Sequence, residues 1–174
     1  GFTSKEIKYF HEFLQSVEKL KDLILGNIND TTKCKVITTF SNKGGIGKTA
    51  IATNLAVELA NMTKERVALV DLNMQMGDVT TFLDLNPSFD TAYVINNLER
   101  IDEGFLLSTL EKYNNTSLYV LADPPDLEQA EVITSDNITT LINVLRNVFS
   151  YIIIDTTASF DGKTITALDN SDLV

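Results

Sequence analysis

Apolar residues near the start of the chain fall at Ile7, Phe10, Phe13, Leu14, Val17, Leu20 and Ile24. Spacings of three and four put them on one face of a helix, so a helix is expected over residues 4–25. Ser4 suits its start, and Gly26 suits its stop. The polar stretch 27–33 (NINDTTK) breaks the pattern and reads as a linker. From Lys35 onward short apolar runs alternate with helical patterns. Strands are expected at 35–40, 67–72, 118–121 and 151–155, with another beginning at 173–174. Helices are expected at 49–61, 91–97, 103–112, 137–146 and 163–169. Strands of continuous Val, Ile and Leu separated by helices imply a parallel sheet covered on both faces. The fold class read from this pattern is α/β, a three-layer α/β/α domain with right-handed crossovers, preceded by an N-terminal helix. Residues 1–34 would form that helix and linker, the tail of an upstream domain or a connector from one. Residues 35–174 would form the α/β domain, and a chain that ends at Ser171-Asp172-Leu173-Val174 is expected to be cut inside an element.

Composition narrows the function classes. The chain has 174 residues, enough for one domain with a real core. No apolar run is long enough to cross a bilayer, and the charged, aromatic start is no signal peptide. Cys34 is the one cysteine, so no internal disulfide or cysteine cage can form, and a cytoplasmic location is expected. The net charge of −10 argues against broad DNA binding by these residues, because such binding needs basic surface to neutralise phosphates.

The candidate chemistry lies between the first strand and the first helix of the α/β pattern. The segment Lys43-Gly44-Gly45-Ile46-Gly47-Lys48-Thr49, with Ala50 after it, is spelled as a phosphate-binding P-loop. Glycines admit positive φ and let backbone N–H groups turn inward as a nest for phosphate oxygens. The helix that opens there adds the positive end of its dipole. Lys48 is placed for the β- and γ-phosphates, and Thr49 offers its hydroxyl to Mg²⁺. The general pattern's first glycine is missing here, with Asn42 in that region, and a lysine stands at each end of the glycine run. Two predicted strands end in aspartate, Asp71 and Asp155. Ligands of open α/β sheets bind at that edge, where a carboxylate can hold Mg²⁺ through its waters. ATP with Mg²⁺ is the ligand these residues call for.

With these residues in place, the chain resembles the ParA/MinD family of deviant Walker ATPases, P-loop NTPases of the SIMIBI-like kind. The two-lysine loop carries the likeness, which runs from Lys35 to Val174. The resemblance implies that Lys43 reaches the nucleotide of a second subunit, so that ATP bridges a homodimer. It also implies the strand order 117–121, 67–71, 152–155, 36–40 and then the strand near 172, with the strand of Asp155 beside the P-loop strand. Within the family the chain is similar to the CpaE/TadZ branch, which acts in assembling tight-adherence pili. Three segments carry that finer likeness. They are Asp71-Leu72-Asn73-Met74-Gln75-Met76-Gly77-Asp78-Val79, Leu118-Tyr119-Val120-Leu121-Ala122-Asp123-Pro124-Pro125, and Asp155-Thr156-Thr157-Ala158-Ser159-Phe160-Asp161. It implies partners among pilus or secretion assembly proteins and a place at a cell pole or a membrane-associated machine.

One departure matters. Relatives that hydrolyse ATP well carry a second aspartate two residues after the one matching Asp71, and this chain has Asn73. An amide can hold a water but cannot take its proton as a carboxylate does, so slow or absent turnover is expected. The expected catalytic set is Lys43, Lys48 and Asn73, and the expected metal set is Thr49, Asp71 and Asp155. A ParA-like DNA-partition ATPase and a MinD-like membrane-localising ATPase are the competing readings. A bacterial tyrosine kinase fits less well for want of a tyrosine cluster. Iron–sulfur chemistry of the nitrogenase iron-protein kind is excluded by the single cysteine.

Overall fold

The computed structural model describes residues 34–74 and 77–174. The helix expected at 4–25, with His11, lies outside the described residues, as do Gln75 and Met76. The rest forms one unit, Cys34–Val174.

Five strands make its sheet: β1 (Lys35–Thr39), β2 (Val67–Asp71), β3 (Glu111–Lys112), β4 (Leu118–Leu121) and β5 (Tyr151–Asp155). They lie in the order β1-β5-β2-β4-β3. The first four neighbours are parallel, and β3 alone runs antiparallel, against β4. The helices are α1 (Lys48–Thr63), α2 (Val79–Leu83), α3 (Thr91–Asn96), α4 (Glu103–Thr109), α5 (Leu127–Glu131), α6 (Ser135–Arg146) and α7 (Gly162–Asp169). Every residue of β2 and β5 is buried, which requires cover on both faces of the sheet. Helix α1 packs against the sheet, while α6 packs on β5 and on α7. The core is built from Leu69, Ile152, Ile153 and Ile154 on the strands and Leu106, Ile138, Leu141 and Leu145 on the helices.

The expected order placed the strand of Asp155 beside the P-loop strand, and β5 does pair with β1 along its full length, Lys35 opposite Tyr151 to Thr39 opposite Asp155. The chain end also adds to the sheet. Leu173 bridges Ile37 in parallel, and the Asp172 N–H donates to the Val36 carbonyl at 2.8 Å.

One expected helix is shorter than its pattern suggests. The helix expected over 103–112 stops at Thr109, and residues 111–112 form β3. Asn114 takes a left-handed conformation at φ 48°, and the Tyr113 N–H donates to the Leu118 carbonyl at 2.9 Å. The turn closes a hairpin whose ladder bonds displace the last helical turn. Helices α2 and α5 were not expected, because each spans only five residues and shows too little period to read.

Candidate functional site

The loop between β1 and α1 has the backbone its glycines suggest. Gly45 and Gly47 sit at φ 72° and 92°, where a side chain would be strained. Gly47 is the N-cap of α1 and offers no side-chain acceptor. Helices α3 to α7 all have such an acceptor: Asp90, Asp102, Asp126, Thr134 and Asp161 each take a backbone N–H from the first turn. A helix has no internal partner for its first N–H groups. At α1 those of Lys48, Thr49 and Ala50 are therefore left for a ligand, with the positive end of a 16-residue helix behind them.

These groups face a concavity of about 490 Å³. Gly44, Gly45, Gly47, Lys48, Thr49 and Ala50 line one side. Asn73, Asp78 and Phe82 line another, and Thr157 and Ala158 complete it beyond β5. Lys43 and Ile46 belong to the same loop but do not line the concavity. Lys43 is exposed, its backbone N–H held by the Ser41 hydroxyl at 3.1 Å, and the Ile46 side chain is open to solvent. A second concavity of about 580 Å³ lies between the end of α3 and the α5–α6 corner, lined among others by Ile95, Asn96, Val132 and Asn137. It holds no comparable set of glycines and helix-start N–H groups.

Beside the loop, Asp155 is fully buried and held by two hydroxyls. Thr49 donates to one carboxylate oxygen at 2.5 Å and Thr39 to the other at 3.0 Å. Burial pushes the Asp155 carboxyl above its ordinary pKa, and the two hydroxyls and the Lys48 charge oppose that rise. Hydroxyl and carboxylate oxygens side by side suit a hard cation such as Mg²⁺. Among the described residues no three His, Cys, Asp or Glu side chains converge as a metal cage. A cation here would therefore take its other ligands from phosphate and water.

Asp71 lies opposite Asp155 in the register of β2 and β5 and is equally buried. Its oxygens are committed to the chain that follows, accepting the N–H of Asn73 at 2.9 Å and of Val79 at 3.3 Å. Burial, then the nearby Asp123 charge, hold its carboxyl well above the ordinary range. Sequence reading missed Asp78 and Phe82 as lining residues. Asp78 begins α2 yet makes no side-chain cap bond, so its exposed carboxylate is left at the concavity. The signal for it was present, an acidic residue directly after a glycine in the segment that Asp71 opens. Met74, in the same segment, is buried in the core.

The fold and the glycine loop together point to a known group, and a family comparison decides it. The AAA domain family AAA_31 matches residues 34–174. The chain belongs to that family. Its relatives are ParA/MinD-type P-loop ATPases. The septum site-determining protein MinD of Helicobacter pylori is 28% identical over 139 residues, 79% of this chain and 50% of that protein. Among solved structures, a ParA family ATPase from Chlorobium tepidum superposes with a TM-score of 0.76 at 29% identity, covering 81% of this chain and 59% of that one. A plasmid partition protein from Borrelia burgdorferi, solved bound to AMPPNP, gives 0.63 at 27% identity over 81% of this chain and 60% of that one. This ParA/MinD-type chain spans about half the length of the MinD relative it matches.

Proposed function

We propose that this protein binds ATP with Mg²⁺ in the concavity at the start of α1 and works as a nucleotide-dependent dimerising switch. The observation that carries the reading is the uncapped helix start behind two left-handed glycines, with Lys48 and the Thr49–Asp155 pair beside it. The N–H groups of the loop would cradle the phosphates, and Lys48 would neutralise their β and γ charge. Mg²⁺ would be held by Thr49, with Asp155 behind it, and would offset charge on the terminal phosphate. Asp71, bonded to the backbone at Asn73 and Val79, would act mainly by shaping the segment that carries Asn73 and Asp78. Lys43, exposed beside the loop, is free to meet a second subunit's nucleotide. With Asn73 in place of a carboxylate, turnover would be slow or absent.

The downstream role in this reading is to position or assemble pilus or secretion machinery, supported by the three segments similar to the CpaE/TadZ branch. The names of the relatives favour a second reading, placement of DNA or of the division septum. Charge weighs against a DNA surface on this part of the chain. Residues 78–136 hold twelve acidic side chains against two basic ones, which phosphate would repel. Among the described residues no helix is long and apolar enough to cross a membrane.

The test is the mass in solution with and without Mg-ATP. Wild type should become a dimer with nucleotide. Lys48→Ala should bind Mg-ATP about tenfold to a hundredfold more weakly and stay monomeric at nucleotide levels that dimerise wild type, and Lys43→Ala should bind and stay monomeric. A dimer that ignores both nucleotide and Lys43→Ala would overturn the switch. Deleting the gene separates the two roles: lost pili support the first reading, and intact pili with misplaced septa or lost plasmids support the second.

A further inference from the structure

The segment after β2 carries Asn73 and Asp78 to the concavity, and two aspartates from different strands hold its backbone. Asp71, at the end of β2, accepts the N–H of Asn73 and of Val79. Asp123, just past the end of β4, lies against Gly77 and takes a hydrogen bond from its backbone N–H. The fit is close. A Cβ built on Gly77 would meet all three carboxyl atoms of Asp123 nearer than real Cβ atoms come to other heavy atoms. A side chain there would have to push the Asp123 carboxyl aside.

Asp123 is itself well anchored. The carbonyl of Ala122, one residue before it, accepts both the N–H of Thr91 at 2.9 Å and the Thr91 hydroxyl at 2.7 Å. Thr91 is fully buried at the start of α3. A chain of contacts therefore runs from α3 through the end of β4 to Gly77, one residue before Asp78.

We propose that Asp123 is a positioning residue that grips Gly77 and so fixes Asn73 and Asp78 against the nucleotide site. The proposal rests on the nucleotide reading of that concavity. Asp123 would touch neither nucleotide nor metal. It would act through the backbone it holds, and it would tie the site to the β4–α3 edge of the sheet.

The experiment is a double-mutant cycle on the whole protein, read by Mg-ATP affinity and by amide hydrogen exchange without nucleotide. Asp123→Ala removes the acceptor, and Gly77→Ala forces the carboxyl aside. Each should weaken Mg-ATP binding by about tenfold, and the double variant should be no weaker than either single one, because both break one contact. Asp123→Asn keeps an acceptor oxygen and should stay near wild type. In Asp123→Ala the Gly77 amide should exchange faster while core amides such as that of Ile153 keep their rates. Additive losses, or an unchanged Gly77 amide in Asp123→Ala, would overturn the proposal. Should wild type fail to bind Mg-ATP, the nucleotide reading falls, and Asp123 loses its positioning role with it. The exchange rate would then show whether the grip itself exists.

Discussion

Thr49 and Asp155 share one short hydrogen bond, and a divalent cation would have to enter beside it. Asn73 also lines the concavity, and in the proposed reading it stands where a carboxylate would help remove a proton from water. Asn73→Asp should therefore raise the ATP turnover number, by on the order of a hundredfold, with little change in KM. Steady-state phosphate release checks this, and an unchanged turnover number would show that position 73 does not limit the reaction. Cys34 makes the opposite kind of prediction. Burial pushes its thiol up to about 11, against the weaker pull of Arg146. At about pH 8 it should react slowly with a thiol reagent in the folded protein and quickly in urea, because the thiolate is the reactive form. Equal rates in the two states would contradict that burial. The loop's backbone was legible in the sequence because it is local, with Gly45, Gly47, Lys48 and Thr49 set by spacing to a helix start. Asp123 was not legible as a partner of Gly77, since the sheet brings together residues 46 positions apart.

At the scale of elements, β2 and β5 lie side by side and end in registered aspartates, both buried. Asp71, Asp155 and Asp123 all have carboxyls raised above the ordinary 3.8, first of all by burial. The folded protein thus holds these protons to higher pH than the unfolded chain does. As pH rises past 3.8 the unfolded chain ionises first, so stability falls until the folded carboxyls ionise too. The nucleotide-free protein should melt at a higher temperature near about pH 5 than near about pH 7.5. A melting temperature that climbs over that range would contradict the assigned directions. The strands themselves were legible because continuous Val and Ile runs mark burial on both faces. The β3–β4 hairpin was not, because residues 111–112 take their strand form from pairing with Tyr119 and Val120 rather than from their own pattern.

For the whole molecule, strand order and family membership agree: the P-loop strand lies beside the strand of Asp155, as the resemblance implied. Order was legible only through the family resemblance, because spacing along the chain does not say which strands pair. The side of the concavity supplied by Asp78 and Phe82 depends on a short helix with no readable period. The acidic stretch of residues 78–136 includes Asp123, which the fold brings against Gly77. The proposed switch depends on one claim, that the start of α1 is a nucleotide site. Calorimetric titration of Mg-ATP into wild type and Lys48→Ala tests it most directly. Wild type should bind one nucleotide per chain, and Lys48→Ala should bind about tenfold to a hundredfold more weakly, the loss expected when a charged hydrogen bond is removed. No binding by wild type, or equal binding by Lys48→Ala, would contradict the account.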